Sequence, residues 1–138
     1  MKKRLINLKN ENKHETKEII DKVRSYDLKF DVDYTSIMSI IGLSPNGKYG
    51  YVIFVKDNKY YIQINNQTYG PYDSALYPQF SNDGSKYGWW FKKDKNYYIQ
   101  INNQTYGPYD KASLTFTKDN KVYIFYIKDN KMTIERVD

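Results

Sequence analysis

The chain has 138 residues, the size of one domain; 40% are hydrophobic and 28% charged, yet the mean hydropathy of −0.84 is low for a globular protein. An aromatic share of 17%, with 16 Tyr, 6 Phe and 2 Trp, resolves this, because Tyr scores as polar but buries a large ring and suits strands. The absence of Cys excludes disulfides, thiolate metal sites and a Cys nucleophile, while the net charge of +6 is spread over lysines with only Arg4, Arg24 and Arg136, which argues against a nucleic-acid face.

Residues 1–27 form the first of two expected segments. The opening MKKRLINLKNENK is basic but has no apolar run behind it, so it does not read as a signal peptide, and no stretch approaches the roughly 20 apolar residues of a membrane span. The expectation is a cytoplasmic protein as written, or a periplasmic or secreted one if a leader was trimmed. Residues 10–25 place Ile19, Ile20 and Val23 on one side. Glu11, Glu15 and Glu18 fall towards the start, and Lys22 and Arg24 towards the end. That pattern predicts a short amphipathic helix, or an arm, covering an exposed part of the remainder. His14, the only histidine, has no second ligand at metal-site spacing, so it reads as solvated.

Residues 28–138 read as strands. Leu28, Phe30, Val32 and Tyr34 alternate with Lys29, Asp31 and Asp33, which predicts a strand over 28–34 with one face in water. A repeat follows. YYIQINNQTYGPYD occurs unchanged at residues 60–73 and 97–110, a period of 37 residues, and such periods mark repeat architectures. The turn Ser44-Pro45-Asn46-Gly47-Lys48 matches Ser81-Asn82-Asp83-Gly84-Ser85 and, more loosely, Thr117-Lys118-Asp119-Asn120-Lys121. Each turn leads into a run apolar on both alternating faces, at 49–55, 87–91 and 122–127, which predicts strands covered on both sides. Second turns at 56–59, 93–96 and 128–131 open half-polar strands at 60–65, 97–102 and 132–137. Exit strands at 67–72 and 104–109 carry Gly-Pro before their last Tyr, and re-entry strands are expected at 75–80 and 112–116.

A unit of four short strands is the arrangement of a propeller sheet. The Ser-Asn-Asp-Gly-Ser-Lys-Tyr entry and the Tyr-Gly-Pro-Tyr-Asp exit resemble the bacterial TolB-like, WD-repeat-like β-propeller repeats over roughly residues 28–138. The chain lacks the Trp-Asp dipeptide and Gly-His pair of the eukaryotic repeat. The resemblance implies an all-β fold of three four-stranded antiparallel propeller-type blades of about 37 residues each, preceded by the short helix or arm. The strand at 28–34 would stand as the fourth strand of a preceding unit, and the third unit has no Gly-Pro-Tyr exit. Complete propellers have about 4 to 8 blades, so a closed ring of six needs two copies, each lending its 28–34 strand to the other. The bland alternative is an open three-blade stack.

Candidate chemistry is sparse. No Ser-His arrangement, phosphate loop or metal cluster suggests itself, so no cofactor, metal or catalytic residue is expected. Asp57, Asp94 and Asp129 recur in tight turns, and Asp73 and Asp110 follow the exit motif, which points to turn and capping bonds. Tyr69, Gly70, Pro71, Tyr72 and Asp73, with Tyr106, Gly107, Pro108, Tyr109 and Asp110, read as a structural repeat motif in which Gly-Pro sets a bend, Pro suits an edge, and Tyr rings pack between neighbouring sheets. The repeats differ where Trp89-Trp90 replaces Val52-Ile53 and where Tyr77-Pro78 intervenes. Trp89 and Trp90 read first as core, one on each face; where exposed, they and Tyr77 are the candidates for stacking on a sugar or peptide. The expected function is a non-enzymatic scaffold that binds a macromolecule and associates with itself, with a carbohydrate- or peptide-binding module as the alternative.

Overall fold

The computed structural model describes residues 4–7, 16–19, 21–30 and 39–137, and among them every regular element is a β-strand. Strands β1 (Arg4–Asn7) and β2 (Thr16–Ile19) pair antiparallel, Arg4 opposite Ile19. A first sheet is the antiparallel meander of β3 (Ile40–Leu43), β4 (Gly50–Lys56), β5 (Lys59–Ile64) and β6 (Gln67–Tyr72). A second sheet places β7 (Ser74–Ala75) and β8 (Gln79–Phe80) one after the other on the edge of β9 (Tyr87–Lys93), then adds β10 (Asn96–Ile101) and β11 (Gln104–Tyr109). A third sheet holds β12 (Lys111–Phe116), β13 (Val122–Lys128) and β14 (Lys131–Val137). The fold is all-β, in three antiparallel sheets of four, five and three strands, none closed on itself.

Turn chemistry sets this order. The hairpins β4–β5, β9–β10 and β13–β14 turn on two residues with positive φ: Asp57 and Asn58 (53° and 64°), Asp94 and Lys95 (51° and 70°), Asp129 and Asn130 (51° and 61°). Those angles match the right-handed twist of the flanking strands, and Asn and Asp tolerate them best. At each entry turn a hydroxyl oxygen accepts a backbone N–H across the loop: Ser44 from Tyr49 (2.9 Å), Ser81 from Lys86 (3.0 Å) and Thr117 from Lys121 (3.1 Å). The third loop is one residue shorter than the others. Neighbouring loops also bond to each other, the amide of Asp83 donating to Asn120 Oδ1 (2.9 Å).

Alternation along β9 stacks the sheets. Tyr87, Trp89 and Phe91 face the first sheet and join Ile53, Ile62, Ile64 and Tyr72 in one buried cluster. On the opposite face of the second sheet, Ile99 and Ile101 meet Ala112, Leu114, Val122 and Ile124 of the third, with Trp90 packed against them. The second sheet is therefore covered on both sides, as its two-faced apolar run demands. Gly88 permits the close approach, since a Cβ there would lie 2.7 Å from the Gln100 carbonyl oxygen and 2.8 Å from Leu114 Cδ1.

Residues 21–30 lie against the outer face of the first sheet. Phe30 packs with Phe54 and Tyr61, ring centroids 5.7 and 4.9 Å away. Gln63 Nε2 donates to the Asp27 carbonyl (2.9 Å), and the Lys29 amide donates to Gln63 Oε1 (3.4 Å). Arg24 donates to the carbonyls of Gly47 and Lys48, the latter at 2.7 Å.

The strands expected in the repeats match the observed ones to within a residue or two, with three differences. The helix over 10–25 is corrected: Thr16–Ile19 is a strand and residues 21–28 have no regular structure. Pairing with Arg4–Asn7 satisfies the backbone of this segment from a distance, which local periodicity cannot reveal. Positions 10–15 and 20, His14 included, lie outside the described residues. The strand at 28–34 is not formed at Leu28, Lys29 and Phe30, and 31–34 lie outside the described residues. Finally, the re-entry strand at 75–80 is split into β7 and β8, because Pro78 has no N–H to give to the ladder.

Candidate functional site

The repeat motif Tyr-Gly-Pro-Tyr lies on β6 and β11, at the outer edges of the first two sheets. Both Gly-Pro bonds are cis, and Gly70 and Gly107 have φ of 125° and 132°. A Cβ on Gly70 would sit 2.8 Å from the Tyr60 carbonyl oxygen and 2.9 Å from the Tyr61 ring, so only glycine fits against β5. The register shifts beside it, between Tyr60 and Ile62, and again between Tyr97 and Ile99. Tyr72 stacks on Phe91 of the next sheet at 4.0 Å, and Tyr109 stacks on Tyr126 at 3.9 Å. Tyr69 meets Trp89 edge-on at 4.9 Å and shares a hydroxyl–hydroxyl bond with Tyr87.

The acids after the motif make backbone and ion-pair contacts. Asp73 pairs with Lys59 and accepts the Asp94 amide (2.8 Å); the Lys59 bond, then that amide, hold its carboxyl below the usual range. Asp110 donates its amide to the Ile127 carbonyl (2.9 Å). In the second entry turn, hydrogen bonds from Ser85 and then Ser81 draw the Asp83 carboxyl down to about 2. The carboxylates of Asp73 and Asp83 are thus engaged by neighbouring turn residues. Among the described residues, no group of three or more His, Cys, Asp or Glu could hold a metal ion, and no helix is long and apolar enough to cross a membrane.

The three aromatic candidates part company. Trp89 is 0% exposed, stacked parallel to Tyr87 at 5.9 Å, and out of reach of any ligand. Trp90 points to the opposite face and is half-buried beside Tyr97, centroids 5.5 Å apart. Tyr77 is 51% exposed in the break between β7 and β8, far from neither strand end but carried outward with Leu76. Trp90 contributes instead to a surface cavity of about 470 Å³ with Lys111, Ser113, Phe125, Ile127 and Met132. Lys111 and Lys92 also lie over the Tyr97 ring, 4.8 and 5.6 Å from its centroid. The result is an apolar recess with one cation, Lys111, in its lining, a setting suited to an aromatic, sugar or peptide group.

Sequence reasoning did not single out Lys111, Phe125, Ile127 and Met132. The signal was present in the third repeat, whose strands keep apolar residues on a face that this chain leaves open: Ile127, Met132 and Ile134 are 44%, 65% and 63% exposed. The outer face of the first sheet also exposes apolar side chains, Ile41 at 78% and Leu43 at 64%. Comparison with protein-family models, with curated proteins and with solved structures finds no match.

Proposed function

We propose that this chain is a non-enzymatic scaffold of β-propeller type that binds another macromolecule, and that two copies join into a ring of six sheets. The observation that carries the reading is the repeated sheet-on-sheet joint within one chain, coupled with apolar side chains left exposed at both ends of the stack. An exposed sheet face of this kind marks an interaction surface rather than a solvent boundary. The carboxylates of Asp73 and Asp83, which accept backbone and hydroxyl groups in turns, support a binding rather than a catalytic function. Light scattering at micromolar concentration tests the assembly. Twice the chain mass of 16.5 kDa is expected. A monomeric mass overturns the ring.

A second reading is favoured by the recess at Trp90: a carbohydrate- or peptide-binding module that stacks its ligand on the exposed part of the indole, beside Lys111. Binding on a glycan or peptide array that disappears in Trp90→Ala, with the circular dichroism spectrum retained, supports this reading; unchanged binding rules the recess out.

A further inference from the structure

We infer that the joint between copies seats β14 of one chain on β3 of the other, with Met132 and Ile134 packed against Ile41 and Leu43. This rests on the self-association reading and specifies its contact.

The argument comes from equivalent positions. Ile62, Ile99 and Ile134 each stand three residues into the third strand of their sheet. The first two are 0% exposed because another sheet covers them, whereas Ile134 is 63% exposed. On the receiving side, Ile41, Pro78 and Leu114 each stand three residues before the hydroxyl of an entry turn. Pro78 and Leu114 are buried, Leu114 at 2%, and Ile41 is 78% exposed. Inside the chain the second pair meets, since Ile99 and Leu114 share one buried cluster and β10 packs on β12. The exposed Ile134 and Ile41 thus correspond to the two halves of the internal Ile99–Leu114 contact, and among the described residues neither is covered.

The register supports the same pairing. Ile41 lies opposite Val52 and Leu43 opposite Gly50, on the outer face of the first sheet, and Ile134 lies opposite Phe125 on the open face of the third. Residues 21–30 run over the β4–β5 half of that outer face and past the end of β3, where Val23, Arg24 and Tyr26 line a recess with Leu43. On the β4–β5 half Phe30 packs on Phe54, at the position equivalent to Phe91 and Tyr126, where Tyr72 and Tyr109 stack in the internal joints. Among the described residues Ile41 and Leu43 stay largely exposed, and the face that fits them is the chain's own. A second copy is therefore the occupant. The contact is heterologous, so two copies close it when each offers both faces, and an unclosed arrangement would grow without limit.

A cysteine-free chain makes the test direct. Ile41→Cys and Ile134→Cys are prepared separately, their masses checked, and the two are mixed and treated with a short bis-maleimide. A cross-linked dimer from the mixture, absent from either variant alone, is expected. Ile134→Asp is expected to weaken self-association at least about tenfold, as truncation of a central apolar contact does. A protein with the mass of a dimer that gives no mixed cross-link, or that links through Ile134→Cys alone, overturns this joint and leaves the self-association reading standing. A monomeric mass with no cross-link removes both.

Discussion

Tyr69, Tyr72 and Tyr87 bring their hydroxyl groups into the joint between the first and second sheets, and burial raises the pKa of each. For Tyr69, the bond to Tyr87 adds to the effect of burial. A raised folded-state pKa means that the neutral phenol is what the fold accommodates. The stabilisation is fully present below about pH 10, where unfolded tyrosine ionises, and is lost as pH rises towards the folded values. In a spectrophotometric titration, these three of the 16 tyrosines are expected to resist ionisation until the circular dichroism of the sheets collapses. Reversible ionisation of every tyrosine near pH 10 with the fold intact would contradict this packing. The abundance of tyrosine was plain from composition. Which tyrosines share hydroxyl bonds was not, because identical segments place Tyr69 beside Tyr87 but Tyr106 beside Gln104, where Val122 takes the equivalent place of Tyr87.

At the scale of elements, local chemistry decided what could be read in advance. The hairpins announce themselves through Asp, Asn and Lys pairs at positive φ, and the strands between them through apolar runs, so β4, β5, β9, β10, β13 and β14 were legible. The N-terminal segment was not, because its strand exists by pairing with a distant partner, and the spacing of Ile19, Ile20 and Val23 says nothing about that. The exit strands can be tested through their glycines. Gly70→Ala and Gly107→Ala are each expected to cost about 1–3 kcal/mol in urea denaturation, since alanine must adopt a sparsely populated backbone region. Gly50→Ala is the control: no atom lies within 4 Å of a Cβ built there, and its φ is ordinary. Equal costs at all three positions would refute a special role for the exit motif.

For the whole molecule, one contact is used again and again. The sheets are held less by connections than by faces: Ile53, Ile62 and Ile64 on Trp89 and Phe91, then Ile99 and Ile101 on Leu114 and Ile124. Sequence periodicity gave the number of units, and two-faced strands gave the stacking. The residues at its ends, Ile41, Leu43, Met132 and Ile134, became candidates only when their exposure could be compared with that of their internal counterparts.

The unchanged duplication also bears on how a folding chain finds its way. Two hairpins, β5–β6 and β10–β11, carry the same letters from Tyr60 and Tyr97 onward and differ only at their first residue, Lys59 against Asn96. What distinguishes them is the strand each must dock upon, Ile53 opposite Ile62 in one case and Trp90 opposite Ile99 in the other. The indoles of β9, with Tyr87 and Gly88 in place of Gly50 and Tyr51, thus work as an address that gives one of two nearly identical hairpins its own berth.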